Sequence, residues 1–148
     1  MVSQKQSVVW LITDGKPGHQ NQSEGLVQSL AARIPLRVLR LPVLPFWKTL
    51  ISYLRHKQHV LRLAPRPDLV VGAGHTTHAT LLLVKWLFNA KAIVLMKPSL
   101  PLFLFDLALV PQHDALKPSA KILTTRGVLN RVRSGAAKKI NEGVILIG

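Results

Sequence analysis

The sequence predicts an α/β domain: a parallel sheet of the Rossmann type with helices on both faces. Three observations lead there. Short, continuous apolar runs such as Val8-Val9-Trp10-Leu11-Ile12 have the length and β-branched content of strands buried on both faces. Segments with helical spacing alternate with these runs, and that alternation implies right-handed crossovers between parallel strands. Polar turns bearing glycine and histidine follow the runs, where open parallel sheets bind their ligands.

After a polar leader, the first strand is expected at Val8–Ile12. The turn Asp14–Gln20 follows, and Asn21 or Ser23 can then cap a helix carrying Leu26, Val27, Leu30 and Ala31 on one side. Pro35 stops that helix. Leu36–Leu41 is a second strand, closed by Pro42. Phe46–Leu63 reads as an amphipathic helix, with Lys48, Ser52, Arg55, His59 and Arg62 along one side. Phe46, Trp47, Leu50, Ile51, Tyr53, Leu54 and Leu61 gather on the other side, expected to pack mainly on the sheet. Pro65 and Pro67 end the helix.

Asp68–Val71 is the next strand, closed by Gly72-Ala73-Gly74, and a helix runs from about Thr76 to Phe88. Strands follow at Lys91–Met96 and Leu107–Val110, with another candidate at Lys121–Leu123. Residues 124–142 are basic, poor in apolar side chains and read as a linker. Gly143–Ile147 begins a new buried-strand pattern. The expected organisation is therefore a domain over residues 1–133, then a linker and the first strand of a further domain over residues 134–148. The alternative for that last run is a terminal edge strand.

At 148 residues and 48% apolar composition, the chain can bury one core. It has no cysteine, which excludes disulfides and thiolate metal sites. Twenty Lys+Arg against six Asp+Glu give a formal charge of +14, which attracts anions in general. The basic residues are spread along the chain without a nucleic-acid-binding signature, so phosphorylated ligands or an anionic membrane surface rank above nucleic acid. The basic helix at Phe46–Leu63, with Trp47 and Tyr53, could touch such a surface at its amino end. No secretory leader is read at the start. The longest apolar stretches, Ala79–Phe88 and Leu100–Val110, fall short of the roughly 20 residues a membrane span requires and read as core. The expected location is cytoplasmic, with a peripheral position at the inner face of the membrane as a further option.

Four of the six histidines and two of the six acids fall in the turns after strands. In the first turn, Gly15 and Gly18 permit tight turns and close backbone approach, and a helix start offers free N–H groups to an anion. Lys16, Asn21 and Gln22 add polar contacts. Asp14 and His19 can form an acid–base pair; the alternative is a helix-capping turn with an exposed histidine. The turn carries neither a Walker ending nor a dinucleotide fingerprint, and no cofactor is read from the chain. In the second turn, Gly72, Gly74, His75, Thr76 and His78 suit backbone and side-chain contact with a ligand, although Thr76 or Thr77 could serve only as a cap. His75 and His78 lack a carboxylate partner, so no metal site is assigned. In the third turn Lys97 can meet a phosphate or carboxylate and Ser99 a sugar hydroxyl. His113 and Asp114 in the fourth are less telling, since Asp is common in turns.

Four segments carry a family resemblance. They are Ile12-Thr13-Asp14-Gly15-Lys16-Pro17-Gly18-His19-Gln20-Asn21-Gln22-Ser23, Pro67-Asp68-Leu69-Val70-Val71-Gly72-Ala73-Gly74-His75-Thr76-Thr77-His78, Val94-Leu95-Met96-Lys97-Pro98-Ser99-Leu100-Pro101, and Phe105-Asp106-Leu107 with Val110-Pro111-Gln112-His113-Asp114. In order and spacing they resemble the signatures of the mitochondrial-fission (elongated-mitochondria) family. The layout is also similar to the acceptor half of two-domain GT-B glycosyltransferases such as the peptidoglycan N-acetylglucosaminyltransferase. That second resemblance implies His19 as the base for an acceptor hydroxyl and Gly72–His75 as pocket lining. It also implies a separate carboxy-terminal half for the nucleotide-sugar, so that this stretch alone is not expected to catalyse. Here Asp14 and Lys16 stand where that enzyme has further glycines. Plant members of the fission family imply a different role, a non-catalytic adaptor recruiting a dynamin-like GTPase.

Overall fold

The structure, a computed structural model, describes residues 6–55 and 60–132. Six strands form one sheet: β1 (Ser7–Thr13), β2 (Leu36–Pro42), β3 (Leu69–Ala73), β4 (Lys91–Leu95), β5 (Leu107–Pro111) and β6 (Ile122–Thr125). All neighbours pair parallel, in the order β2-β1-β3-β4-β5-β6. The helices are α1 (Pro17–Ala31), α2 (Phe46–Arg55), α3 (Val60–Leu63) and α4 (His78–Phe88). This is the predicted Rossmann-like α/β architecture.

Alternation along each strand sends side chains to opposite faces. On one face, Trp10, Ile12, Val70, Val94, Ala108 and Val110 pack with Leu61, Leu81, Val84 and Phe88 of α3 and α4. On the other, Val9, Leu11, Val71, Ala73, Leu95 and Leu109 pack with Leu26 and Val27 of α1 and with Leu129. Trp10 anchors the first face. It is fully buried, its Nε1–H donates to the Pro65 carbonyl at 3.0 Å, and its ring meets Phe88 edge-on at 5.1 Å. Truncating so large a buried side chain to alanine typically costs about 3–5 kcal/mol.

Several boundaries differ from the sequence reading, each for a local reason. Helix α1 starts at Pro17, before Asn21 and Ser23, because proline is preset for the first helical position, where no N–H is needed. Neither Asn21 nor Ser23 caps it: Ser23 Oγ instead donates to the His19 carbonyl one turn back. A 3-10 turn at His75–Thr77 precedes α4, and neither Thr76 nor Thr77 supplies a side-chain cap. The predicted helix over 46–63 is described as α2 and α3, with residues 56–59 outside the described residues. The strand expected at Lys121–Leu123 runs Ile122–Thr125.

Part of the expected linker is packed structure. Leu129 joins the core under α1, and Asn21 Oδ1 accepts from the Arg131 backbone N–H at 3.4 Å and from its Nε–H at 3.0 Å. Gly25 makes this crossing possible, since a Cβ there would overlap the Asn130 backbone. The strand expected at Gly143–Ile147 and the rest of the linker lie outside the described residues.

Candidate functional site

In a fully parallel sheet, every strand-to-helix turn opens at the same end. The turns holding His19, Gly74, Lys97 and His113 therefore share one rim. The strand order reverses beside β1: the chain goes from β1 outward to β2, then crosses back to β3 on the other side of β1. Such a reversal leaves a crevice between the two turns, the usual ligand position in open α/β sheets.

Asp14 sits in that crevice and joins both turns. Its Oδ2 accepts from Thr76 Oγ1 at 2.8 Å and from His19 Nδ1 at 2.9 Å, and its Oδ1 accepts from the Lys16 N–H at 3.2 Å. The Lys16 contact is an Asx-turn, which Gly15 completes with a left-handed φ of +80°. Burial raises the Asp14 pKa, but the hydrogen bonds from Thr76, His19 and Lys16, with the His19 charge, outweigh it and hold the carboxyl below its ordinary value. An ionised carboxylate only accepts, so His19 carries a proton on Nδ1 and, in the neutral ring, presents its lone pair on Nε2. The His19 side chain is 20% exposed against 5% for Asp14. The early start of α1 places His19 in the helix's first turn, which fixes the ring's direction.

Gly74 is the other wall of the crevice. Its φ of +82° and ψ of 157° lie where only glycine is comfortable, and a Cβ there would penetrate the His19 ring. Gly72 acts differently. It is buried within β3, and the space a side chain would need is filled by Thr77, whose Oγ1 donates to the Gly74 carbonyl at 2.8 Å. Gly72 thus shapes the turn from behind, not as lining.

A second pair lies behind the rim. His78 is 2% exposed, with Nδ1 3.2 Å from Ser99 Oγ and its ring edge-on to Phe105 at 5.2 Å. Burial, then the nearby charge of His75, lowers its pKa. His78 therefore ties the turn after β3 to the turn after β4, and Ser99 is engaged with it. Of the remaining predicted residues, Gly18 is exposed in the first turn of α1, and His75 and Lys97 are exposed on the rim. Asn21 is held by Arg131, and Gln22 makes no hydrogen bond to the Asp14 group among the described residues. His113 and Asp114 face each other at 3.6 Å at the end of β5, apart from that group. Reading the turns one at a time missed Thr76 as the clamp on Asp14, since the bond spans 62 residues and exists only once β1 and β3 are paired.

Fold and site together define a parallel α/β domain that presents an oriented histidine–carboxylate pair at the switch point of its sheet. The mitochondrial fission ELM1 family matches residues 17–145, and the chain belongs to that family. It is 29% identical over 114 residues to the uncharacterized protein RP120 of Rickettsia prowazekii (strain Madrid E). The match covers 72% of this chain and 32% of the relative, so the chain spans about a third of the relative's length. No solved structure gives a significant match.

Proposed function

We propose that this domain is the acceptor-binding half of a GT-B-like sugar transferase, with His19 as the general base. The observation that carries the reading is Asp14 bridging His19 and Thr76, which leaves the imidazole Nε2 as a proton acceptor over the crevice. In the proposed step Nε2 takes the proton of an acceptor hydroxyl. The hydroxyl oxygen bonds to the anomeric carbon of a nucleotide-sugar held by a second domain, and the nucleoside diphosphate leaves. Asp14 stabilises the imidazolium so formed, while Thr76 and the Lys16 N–H keep Asp14 from turning away. Lys97, exposed on the same rim, supplies a cation for a phosphorylated acceptor.

The test is nucleotide-sugar turnover by a protein of the length its rickettsial relative has, with and without His19→Ala. A general base contributes about 10²- to 10⁴-fold, so a loss of that size is expected. Unchanged turnover removes His19 from the mechanism. Calorimetric titration with common nucleotide sugars provides a second check: no binding of any of them favours the adaptor role over catalysis.

A further inference from the structure

Helix α2 carries more apolar surface than its packing on the domain uses. Thr49 is its buried residue, and Phe46, Leu50, Ser52 and Tyr53 are half-buried, with Tyr53 against the core. The stripe Trp47, Ile51 and Leu54 faces solvent instead, at 70%, 46% and 63% exposure. This overturns the expectation that these side chains gather on the sheet side. The physical reason is that Leu61, Leu81, Val84 and Phe88 of α3 and α4 already fill the core on that face. The pattern extends across the same layer. Leu63 of α3, Trp86 of α4 and Phe103 in the 3-10 turn Leu102–Leu104 are all exposed. Trp86 borders a shallow hollow of about 370 Å³ with Leu82, Lys85, Asn89 and Leu104.

The charge of this layer has one sign. Between Glu24 and Asp68 the chain has no acidic residue, and the cations this layer carries there include Lys48 and Arg55 of α2 and Arg62 of α3. None occurs between Asp68 and Asp106 either, so α2, α3 and α4 are free of carboxylates. Asp106, at the layer's margin, is neutralised by Lys85 at 2.8 Å and Lys91 at 3.4 Å. Lys48 and Arg55 are exposed on α2 itself.

We propose that the outer face of α2, with Trp47, Ile51 and Leu54 as the inserted stripe and Lys48 and Arg55 as its charged flanks, docks onto an anionic lipid bilayer. An interfacial helix combines an apolar stripe, an aromatic at the headgroup level and flanking cations in this way, and the acid-free layer around it complements anionic lipid. The stripe is also what separates a bilayer from a nucleic acid, which would use the cations and leave the aliphatic side chains in water. Among the described residues no helix is long and apolar enough to cross a membrane, so the contact is peripheral. This surface is independent of the transferase reading: it involves neither Asp14 nor His19.

The experiment is cosedimentation of the full 148-residue chain with vesicles of phosphatidylcholine alone, or of phosphatidylcholine with one-third phosphatidylglycerol, with tryptophan emission recorded in parallel. Trp10 is buried, so a blue shift reports Trp47 and Trp86. Binding to the anionic vesicles with a blue shift, and clearly weaker binding to the neutral ones, is expected. The Trp47→Ser/Ile51→Ser/Leu54→Ser variant and the Lys48→Glu/Arg55→Glu variant should each bind about tenfold more weakly or worse. All five positions are on the surface, and unchanged far-UV circular dichroism confirms that both variants fold. Absence of wild-type binding to anionic vesicles overturns the proposal. So does triple-variant binding equal to wild type. Concentration-dependent self-association that the triple variant abolishes, without vesicle binding, also overturns it and makes the stripe an interface between copies.

Discussion

Replacing Gly74 by alanine tests the crevice most directly, because two separable penalties meet at one atom. The first is in the backbone: φ of +82° with ψ of 157° lies in a region almost exclusive to glycine, and holding another residue there costs about 1–3 kcal/mol. The second is steric, since the new methyl would fall inside the His19 ring. Overpacking of this kind also costs about 1–3 kcal/mol. The ring can swing partly outward, being 20% exposed, but doing so breaks its 2.9 Å bond to Asp14. A combined loss of about 2–6 kcal/mol follows, a large share of the roughly 5–15 kcal/mol that stabilises a typical domain.

Urea unfolding measures the total. With a slope of about 2 kcal/mol/M, the midpoint should fall by roughly 1–3 M. The same substitution in a His19→Ala background isolates the two parts. Without the ring the steric penalty vanishes, and only the backbone cost of about 1–3 kcal/mol remains. Equal losses in both backgrounds would show that Gly74 does not press on His19, and an unchanged midpoint in both would refute the crevice geometry itself.

Two further outcomes are expected. Asp14 has a folded pKa below its ordinary 3.8, so its contribution to stability is complete above that value and is lost as pH falls through the lower folded pKa. Asp14→Asn should therefore be destabilised relative to wild type at neutral pH, with the difference shrinking towards zero as pH drops below about 4; a constant difference down to pH 2, measured by urea unfolding, would contradict the assignment. Gly25→Val should lower stability by about 2 kcal/mol by driving α1 off the Asn130 backbone, and should raise proteolysis after Arg126 and Arg131. A midpoint and cleavage rate equal to wild type would mean the segment does not rest on α1.

The fold was legible because its strands carry their own signal. A run such as Val8–Ile12 is apolar on both faces, which only a covered parallel strand requires, and the prolines at 35, 42, 65 and 67 punctuate the segments between. What escaped were features decided by competition for space. The spacing of Trp47, Ile51 and Leu54 marks an apolar stripe but does not say which way it faces. Direction depends on whether the sheet is already covered, and α3 and α4 cover it first. The residues at 126–132 look like a linker in composition, yet Gly25 provides a notch that draws them onto α1.

The candidate site was legible to a different depth at each residue. Asp14 and His19 can be paired on paper, but five residues of separation give a bond only if the helix begins between them, and Pro17 starts it there. Thr76 could not have been separated from Thr77 by pattern, because the two differ only in where the 3-10 turn points them: Thr76 to Asp14 across the crevice, Thr77 back to the Gly74 carbonyl. The same turn carries His78 inward, and Ser99, itself exposed, reaches its Nδ1 from the turn after β4. Two adjacent threonines and two nearby histidines are thus split into an outward pair on the rim, His75 and Thr76, and an inward pair holding the turn, Thr77 and His78. That division makes a specific claim about mechanism. If the inward set only supports, replacing Thr77 or His78 should lower the urea midpoint, whereas replacing Thr76 by valine should leave the midpoint nearly unchanged, release Asp14 and, on the proposed transferase reading, lower turnover by the longer protein; a midpoint lowered as much by Thr76→Val as by Thr77→Val would refute the division.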